Sequence, residues 1–240
     1  LAGDPFEGAE LTDYSGDTIP MGKIDLLAPV KPPNVCAIGL NYRDHARESG
    51  KEIPDHPLLF LKATSSVTSH NSEIQLPAMA PDEVDYEAEL AVVIGRTAVN
   101  VSEAEAPDYI FGYTCGNDVS ARDCQARYDS QWARAKSFDT FCPLGPWIET
   151  ELDPRNLRIE SRVNDTVMQS ARTSDMIFAC FKLVSFLSKC MTLYPRTVIM
   201  TGTPAGVGAG RNPPVFLRDG DLVEIEVEGI GRLSNRVVRK

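Results

Sequence analysis

Apolar positions fall in short runs separated by turn-forming residues, not at the three-to-four-residue spacing of amphipathic helices. NVCAIGL, LLFLKAT, IFGYTCGND and TVIMTGTP each read as a buried strand. VDYEAELAVVIG alternates and then becomes continuously apolar, as a strand does on passing from a rim into a core covered on both faces. LRIESRVN adds another strand, and DLVEIEVEGIGRLSNRVV a closing pair. Two segments differ. NYRDHARES places good helix formers behind Asn41, a candidate N-cap, and MIFACFKLVSFLSKC reads as a longer helix. Regular crossover helices between strands are missing, which disfavours a doubly wound parallel sheet. The expected fold is therefore mixed, β-rich α+β, with a sheet rolled into a sandwich or barrel. The first thirty residues are rich in Gly, Pro and Asp and predict a lead-in over residues 1–30 with one short strand, followed by a single folded unit over residues 31–240.

Charge narrows the partners. Across 240 residues, 24 Lys+Arg against 34 Asp+Glu give a formal net charge of -10. This argues against a nucleic-acid partner, since phosphate binding needs a basic surface. Action on an anionic substrate would require a local reversal of sign, which a divalent cation with a few Lys or Arg supplies. No apolar run approaches the roughly eighteen residues of a membrane helix, so no membrane partner is expected. The six cysteines, without a CxxC pair, read as reduced and mostly buried thiols. Any transit peptide would precede Leu1, and the expected location is mitochondrial or cytoplasmic.

The candidate chemistry is carboxylate-based. Glu87 and Glu89 lie two apart on a predicted strand, so both project from one face and can grip an ion; a solvated edge face is the alternative. Asp118, in a turn after another apolar strand, is a third oxygen ligand or else a helix N-cap. Three carboxylates without nearby Cys or His suit a hard cation, Mg²⁺, Mn²⁺ or Ca²⁺. His45 and Glu48 share one helical face, as a general-base dyad or an inert surface pair. Arg122, Gln125 and Lys136 follow Asp118 closely and could bind a carboxylate and stabilise an oxyanion; solvated surface side chains are the alternative for the two cations. TGTPAGVGAG is either an anion-cradling turn, with Thr203 and backbone N–H groups as donors, or a plain Gly-Pro turn.

In order and spacing, GLNYRDHARE, DYEAELAVVIG, GYTCGNDVSARDCQ, AKSFDTFCPLGP, TGTPAGVG and GDLVEIEVEGIG resemble the signature blocks of the fumarylacetoacetate hydrolase superfamily, over about residues 30 to 238. The resemblance implies a β-sandwich roll with short peripheral helices and a homodimer. It implies Mg²⁺ on Glu87, Glu89 and Asp118, a catalytic His45–Glu48 dyad with Lys136, and Arg122, Gln125 and Thr203 on the substrate side. The wording is most similar to small members regarded as oxaloacetate keto-enol tautomerases, which implies action on a small 2-oxo acid through a metal-bound enolate. Oxaloacetate decarboxylation and C–C hydrolysis of an acylpyruvate or fumarylpyruvate are alternatives that one such site supports; an inactive, metal-stabilised interaction protein is a further one. Two positions depart from the pattern. Ile38 stands where the founding hydrolase has a further metal-binding Asp, and Leu40 where acylpyruvate hydrolases carry Arg. The expectation that follows is a short dicarboxylate, held at one end by the metal and at the other by Arg122 or loop amides.

Overall fold

The structure, a computed structural model, describes residues 4–7, 20 and 23–239; much of the expected lead-in over residues 1–30 lies outside the described residues, and its described part holds a 3-10 turn, Pro5–Glu7, and no strand. From Val35 onward the chain is built mainly of strands. β1 (Val35–Gly39) is followed by α1 (Arg43–Glu48), β2 (Leu58–Lys62), β3 (Val67–Thr68), β4 (Glu73–Leu76), β5 (Val84–Asp85) and β6 (Ala88–Ile94). Then come β7 (Ile110–Asn117), β8 (Ser120–Ala121), α2 (Ala133–Lys136), β9 (Cys142–Glu149), β10 (Arg158–Val163) and β11 (Thr166–Arg172). The chain closes with α3 (Cys180–Cys190), β12 (Val198–Met200), β13 (Leu222–Val227) and β14 (Gly231–Arg239). Seven strands form one mixed sheet in the order β2-β1-β12-β6-β7-β9-β3, five form a second, β11-β10-β13-β14-β4, and β5 pairs with β8 alone. This is the expected strand-rich roll with few helices.

The behaviour of β6 follows from its place at the centre of the seven-stranded sheet. Leu90, Val92 and Ile94 face the main core, which they share with Val223, Ile225 and Leu233 of the five-stranded sheet. The alternate residues Ala91 and Val93 face a second cluster with Val35, Ala37, Val198 and Met200. Both faces are dry, so the period-two pattern disappears and the run is apolar throughout.

Asn41 does not cap α1. The extended N-cap is Tyr42, without a side-chain bond. The Asn41 amide instead donates to the carbonyls of Phe178 (2.9 Å) and Thr201 (2.6 Å) and accepts from the Phe178 N–H (2.8 Å). It thereby ties the start of α1 to the ends of two other elements, and a buried amide with three good partners there outweighs a local cap. Close approach makes Gly202 obligatory: its φ is +96°, and a Cβ would lie 2.6 Å from that of Asn41.

All six cysteines are free; Cys190 is exposed and the other five are buried. Burial pushes the Cys36 thiol up to about 11 and those of Cys115, Cys142 and Cys180 to about 12, as expected for inert thiols. Among the described residues, no helix is long and apolar enough to cross a membrane.

Candidate active site

Sheet register assembles the acidic cluster. β6 and β7 run antiparallel with Ala88 opposite Asn117 and Glu89 opposite Gly116. One step further along the ladder, Asp118 donates its N–H to the Glu87 carbonyl at 3.0 Å. Glu87 and Glu89 share a face, and the pairing brings Asp118 to the same end; one carboxylate oxygen from each lies within 4.8 Å of the others. All three are buried.

Cations answer this cluster unequally. Lys136, at the end of α2, donates to Glu87 Oε2 (2.9 Å) and Asp118 Oδ2 (2.7 Å). Lys62, the last residue of β2, donates to Asp118 Oδ1 at 2.5 Å. Arg122 Nη2 lies 2.7 Å from Glu87 Oε1 as an ion pair without hydrogen-bond alignment. Glu89 receives the Gly202 N–H, at 2.7 Å, and has no ion pair among the described residues. The electrostatics follow this inequality. Burial works to raise the Glu87 carboxyl, but Lys136 and Arg122 prevail and hold it well below the usual range. The Glu89 carboxyl is pushed well above that range by burial and by the charges of Asp118 and Glu87. A buried carboxylate repelled by two others and lacking a cation of its own fits a divalent metal, and an all-oxygen donor set fits a hard one.

The cluster opens onto a cavity of about 350 Å³. Glu87 and Asp118 line it, together with Lys136, Arg122, Gln125, Thr203, His45 and Glu48. On α1, His45 Nδ1 lies 3.1 Å from Glu48 Oε2. Burial opposes ionisation of Glu48, but the His45 hydrogen bond and the Gly206 N–H on Oε1 (2.9 Å) keep its carboxyl below the ordinary value. Every residue singled out from the sequence for this chemistry lies in or directly behind the cavity. His56 and His70 do not line it; His70 Nδ1 accepts the Ser234 N–H.

The Gly-rich loop does cradle anions, but they are the protein's own. Gly202 N–H serves Glu89, Gly206 N–H serves Glu48, and the N–H groups of Gly208 (2.7 Å) and Ala209 (3.0 Å) serve Asp85. A Cβ at Gly208 would lie 1.9 Å from the Val215 carbonyl oxygen and 2.6 Å from Asp85, so the cradle needs glycine there. The Thr203 hydroxyl donates to the Ala88 carbonyl and accepts from Gln169. Arg122 is equally engaged, with Nε on Asp85 (2.8 Å) and Nη1 on the Gln125 amide oxygen (2.8 Å). The groups expected to hold the far end of a substrate are thus bound within the protein.

Sequence reasoning missed two residues. Lys62 ends LLFLK, and a lysine closing an apolar strand needs a buried partner. Asp85 sits two residues before Glu87 in VDYEAE and is fully buried, the hub joining Arg122 to the loop.

The comparisons identify this construction. Residues 34–238 match the fumarylacetoacetate (FAA) hydrolase C-terminal family profile, and the chain belongs to that family. It is 51% identical to an uncharacterized protein of Archaeoglobus fulgidus over 230 residues, covering 96% of this chain and 88% of that one. It is 44% identical to the oxaloacetate tautomerase Fahd2a, mitochondrial, of Rattus norvegicus over 224 residues, covering 92% of this chain and 71% of the relative. Among solved structures, the 5-carboxymethyl-2-hydroxymuconate delta-isomerase from Mycobacterium smegmatis superposes with a TM-score of 0.86 at 50% identity, covering 96% and 88% of the two chains.

Proposed function

We propose that the chain is a Mg²⁺-dependent keto-enol tautomerase of a small 2-oxo acid, oxaloacetate first among them. The observation that carries this reading is one cavity lined both by part of a buried three-carboxylate cluster and by a hydrogen-bonded His–Glu pair. Glu87, Glu89 and Asp118 would hold the ion, with Mn²⁺ and Ca²⁺ as substitutes. When bound, the ion supplies Lewis-acid stabilisation of negative charge developing on the substrate's keto oxygen.

The chain's own groups supply the rest. Lys136 uses two of its three N–H donors on Glu87 and Asp118 and has a third for an oxyanion. Gln125 accepts from Arg122 through its oxygen, which leaves its NH₂ as a donor toward the cavity. Arg122, braced by Asp85, fixes both Gln125 and Glu87. His45 moves the proton between carbon and oxygen, oriented by Glu48, whose carboxylate the Gly206 N–H keeps in place. Tautomerisation needs nothing further, whereas C–C hydrolysis also requires a placed water and a leaving carbanion. The name of the rat relative supports the same reading.

A side-by-side assay with Mg²⁺ tests it: decay of oxaloacetate enol absorbance, oxaloacetate decarboxylation and acylpyruvate cleavage. Enol decay should be the fastest of the three. Efficient acylpyruvate cleavage, with oxaloacetate conversion no faster than in Mg²⁺ buffer alone, would replace this reading with a hydrolase.

A further inference from the structure

Four side chains lining the cavity carry, or can carry, positive charge: His45, Lys51, Arg122 and Lys136. Three of them are committed to carboxylates. His45 bonds Glu48, Arg122 lies on Asp85 and Glu87, and Lys136 on Glu87 and Asp118. Lys51 differs. It follows α1 on an exposed turn, and its ammonium has no carboxylate partner among the described residues; its contact is the ring of Trp132, 5.8 Å from the centroid.

Trp132 is itself fixed. Phe60 meets it edge-on at 5.4 Å, and the absent side chain of Gly39 makes room for it, since a Cβ there would lie 2.6 Å from the ring. The indole and Phe60 form an apolar wall of the cavity, with Lys51 resting on the indole. A cation–π contact at an exposed site is weak, so it can park the ammonium without preventing it from meeting an anion.

The charge balance points the same way. In the lining Glu48, Glu87 and Asp118 offset Lys51, Arg122 and Lys136, and behind it Asp85 offsets Lys62 while Glu89 adds one negative charge. A divalent cation on Glu87, Glu89 and Asp118 would turn that small negative balance positive, with Lys51 as the lining cation not already held by a carboxylate.

We infer that Lys51, backed by the Trp132 ring, receives the second carboxylate of a 2-oxo dicarboxylate and so sets a preference for diacids over 2-oxo monoacids. This rests on the reading above that the cavity takes 2-oxo acids. It assigns to Lys51 the end of the substrate that Arg122 and the loop amides, bound to Asp85 and Glu48, are not free to hold.

Calorimetric titration of the Mg²⁺-loaded protein with 2-oxoglutarate and with 2-oxopentanoate tests it, because the two differ only in a terminal carboxylate against a methyl. The wild-type chain should bind the diacid roughly three- to tenfold more tightly, as for one partly desolvated charge contact, and added salt should shrink the ratio. Lys51→Ala should bring the ratio to about one at unchanged melting temperature, Lys51→Arg should keep it, and Lys51→Glu should invert it. A wild-type chain without the preference or without measurable diacid binding, a Lys51→Ala chain that retains the preference, or one that loses both acids equally overturns the assignment. A Lys51-dependent preference in a chain without enol-decay activity would sink the tautomerase reading alone; activity with no effect of Lys51 on the ratio would sink this one alone.

Discussion

Ionic side chains cluster in two places, at the ends of β6 and β7 and across the outer face of β10, β13 and β14. In the first, Lys62, Lys136, Glu87 and Asp118 pair at 2.5–2.9 Å with side chains at most 7% exposed. In the second, Arg158, Arg162 and Arg232 pair with Glu160, Glu224 and Glu226 at 2.7–3.4 Å, with side chains 11–47% exposed. The bond lengths are similar, with lysines carrying the positive charge in the first place and arginines in the second. Water makes the difference: in the sheet ladder solvent screens each charge, so a pair stabilises little and its loss matters little. In the cluster each charge depends on its neighbours, and removing one leaves another buried and uncompensated. A surplus of carboxylate in the first place can hold a cation; in the second it would be surface.

The strongest test of this contrast is Lys62→Met. It keeps the volume and removes the cation that bonds Asp118 Oδ1, so stability in chelator should fall by roughly 3–5 kcal/mol. Urea denaturation measures the loss, and excess Mg²⁺ should restore part of it, since an ion held by the assembled cluster would bind only the folded chain. A loss under about 1 kcal/mol would mean that water reaches the cluster and that the two regions are alike.

His45→Ala comes next. Its partner Glu48 is only partly buried and keeps the Gly206 N–H, so the fold should hold while kcat for enol decay falls roughly a hundredfold or more. Mg²⁺ affinity, measured calorimetrically, should change little, which would separate proton transfer on α1 from charge binding on the strands. Wild-type turnover would remove the dyad from the mechanism.

Glu89→Gln should act in two directions. The amide oxygen can still accept from Gly202, while the repulsion from Glu87 and Asp118 disappears. Metal-free stability should therefore rise, on the order of 1 kcal/mol, and the added stabilisation by Mg²⁺ should be lost or greatly reduced in thermal melts. An unchanged response to Mg²⁺ would place the metal elsewhere.

These variants fall on residues of unequal legibility. Glu87 with Glu89, and His45 with Glu48, are close pairs on predicted elements, where the periods of strand and helix decide which side chains meet. The apolar run of β6 likewise announced a strand covered on both faces. Lys62 reaches Asp118 across 56 positions and Arg122 reaches Asp85 across 37, contacts that exist only once the sheet is rolled. Asn41 misled for the same reason: its local alternative, a cap, was visible in sequence, but its carbonyl partners Phe178 and Thr201, 137 and 160 positions away, were not. The loop of Gly206, Gly208 and Ala209 read either as an anion cradle or as a plain turn, and nothing local showed that Glu48 and Asp85 would supply the anion.

The smallest expected effect completes the comparison. Arg232 bonds Glu226 at 2.8 Å and approaches Glu224 at 3.4 Å, but its side chain is 47% exposed. The Glu226 carboxyl is held below its ordinary value chiefly by the hydrogen bond from Arg232. A depressed carboxylate adds stability above the unfolded glutamate value, about 4.3, and loses it as pH falls through the folded value. Arg232→Ala should therefore cost at most about 1 kcal/mol near pH 7, and its difference from wild type should shrink both below about pH 4 and in molar salt. Urea titrations at the two pH values and two salt concentrations measure this. A loss as large as that of Lys62→Met, insensitive to salt, would show that bond geometry and not burial governs ion-pair strength in this fold, and the distinction between the two regions would fail.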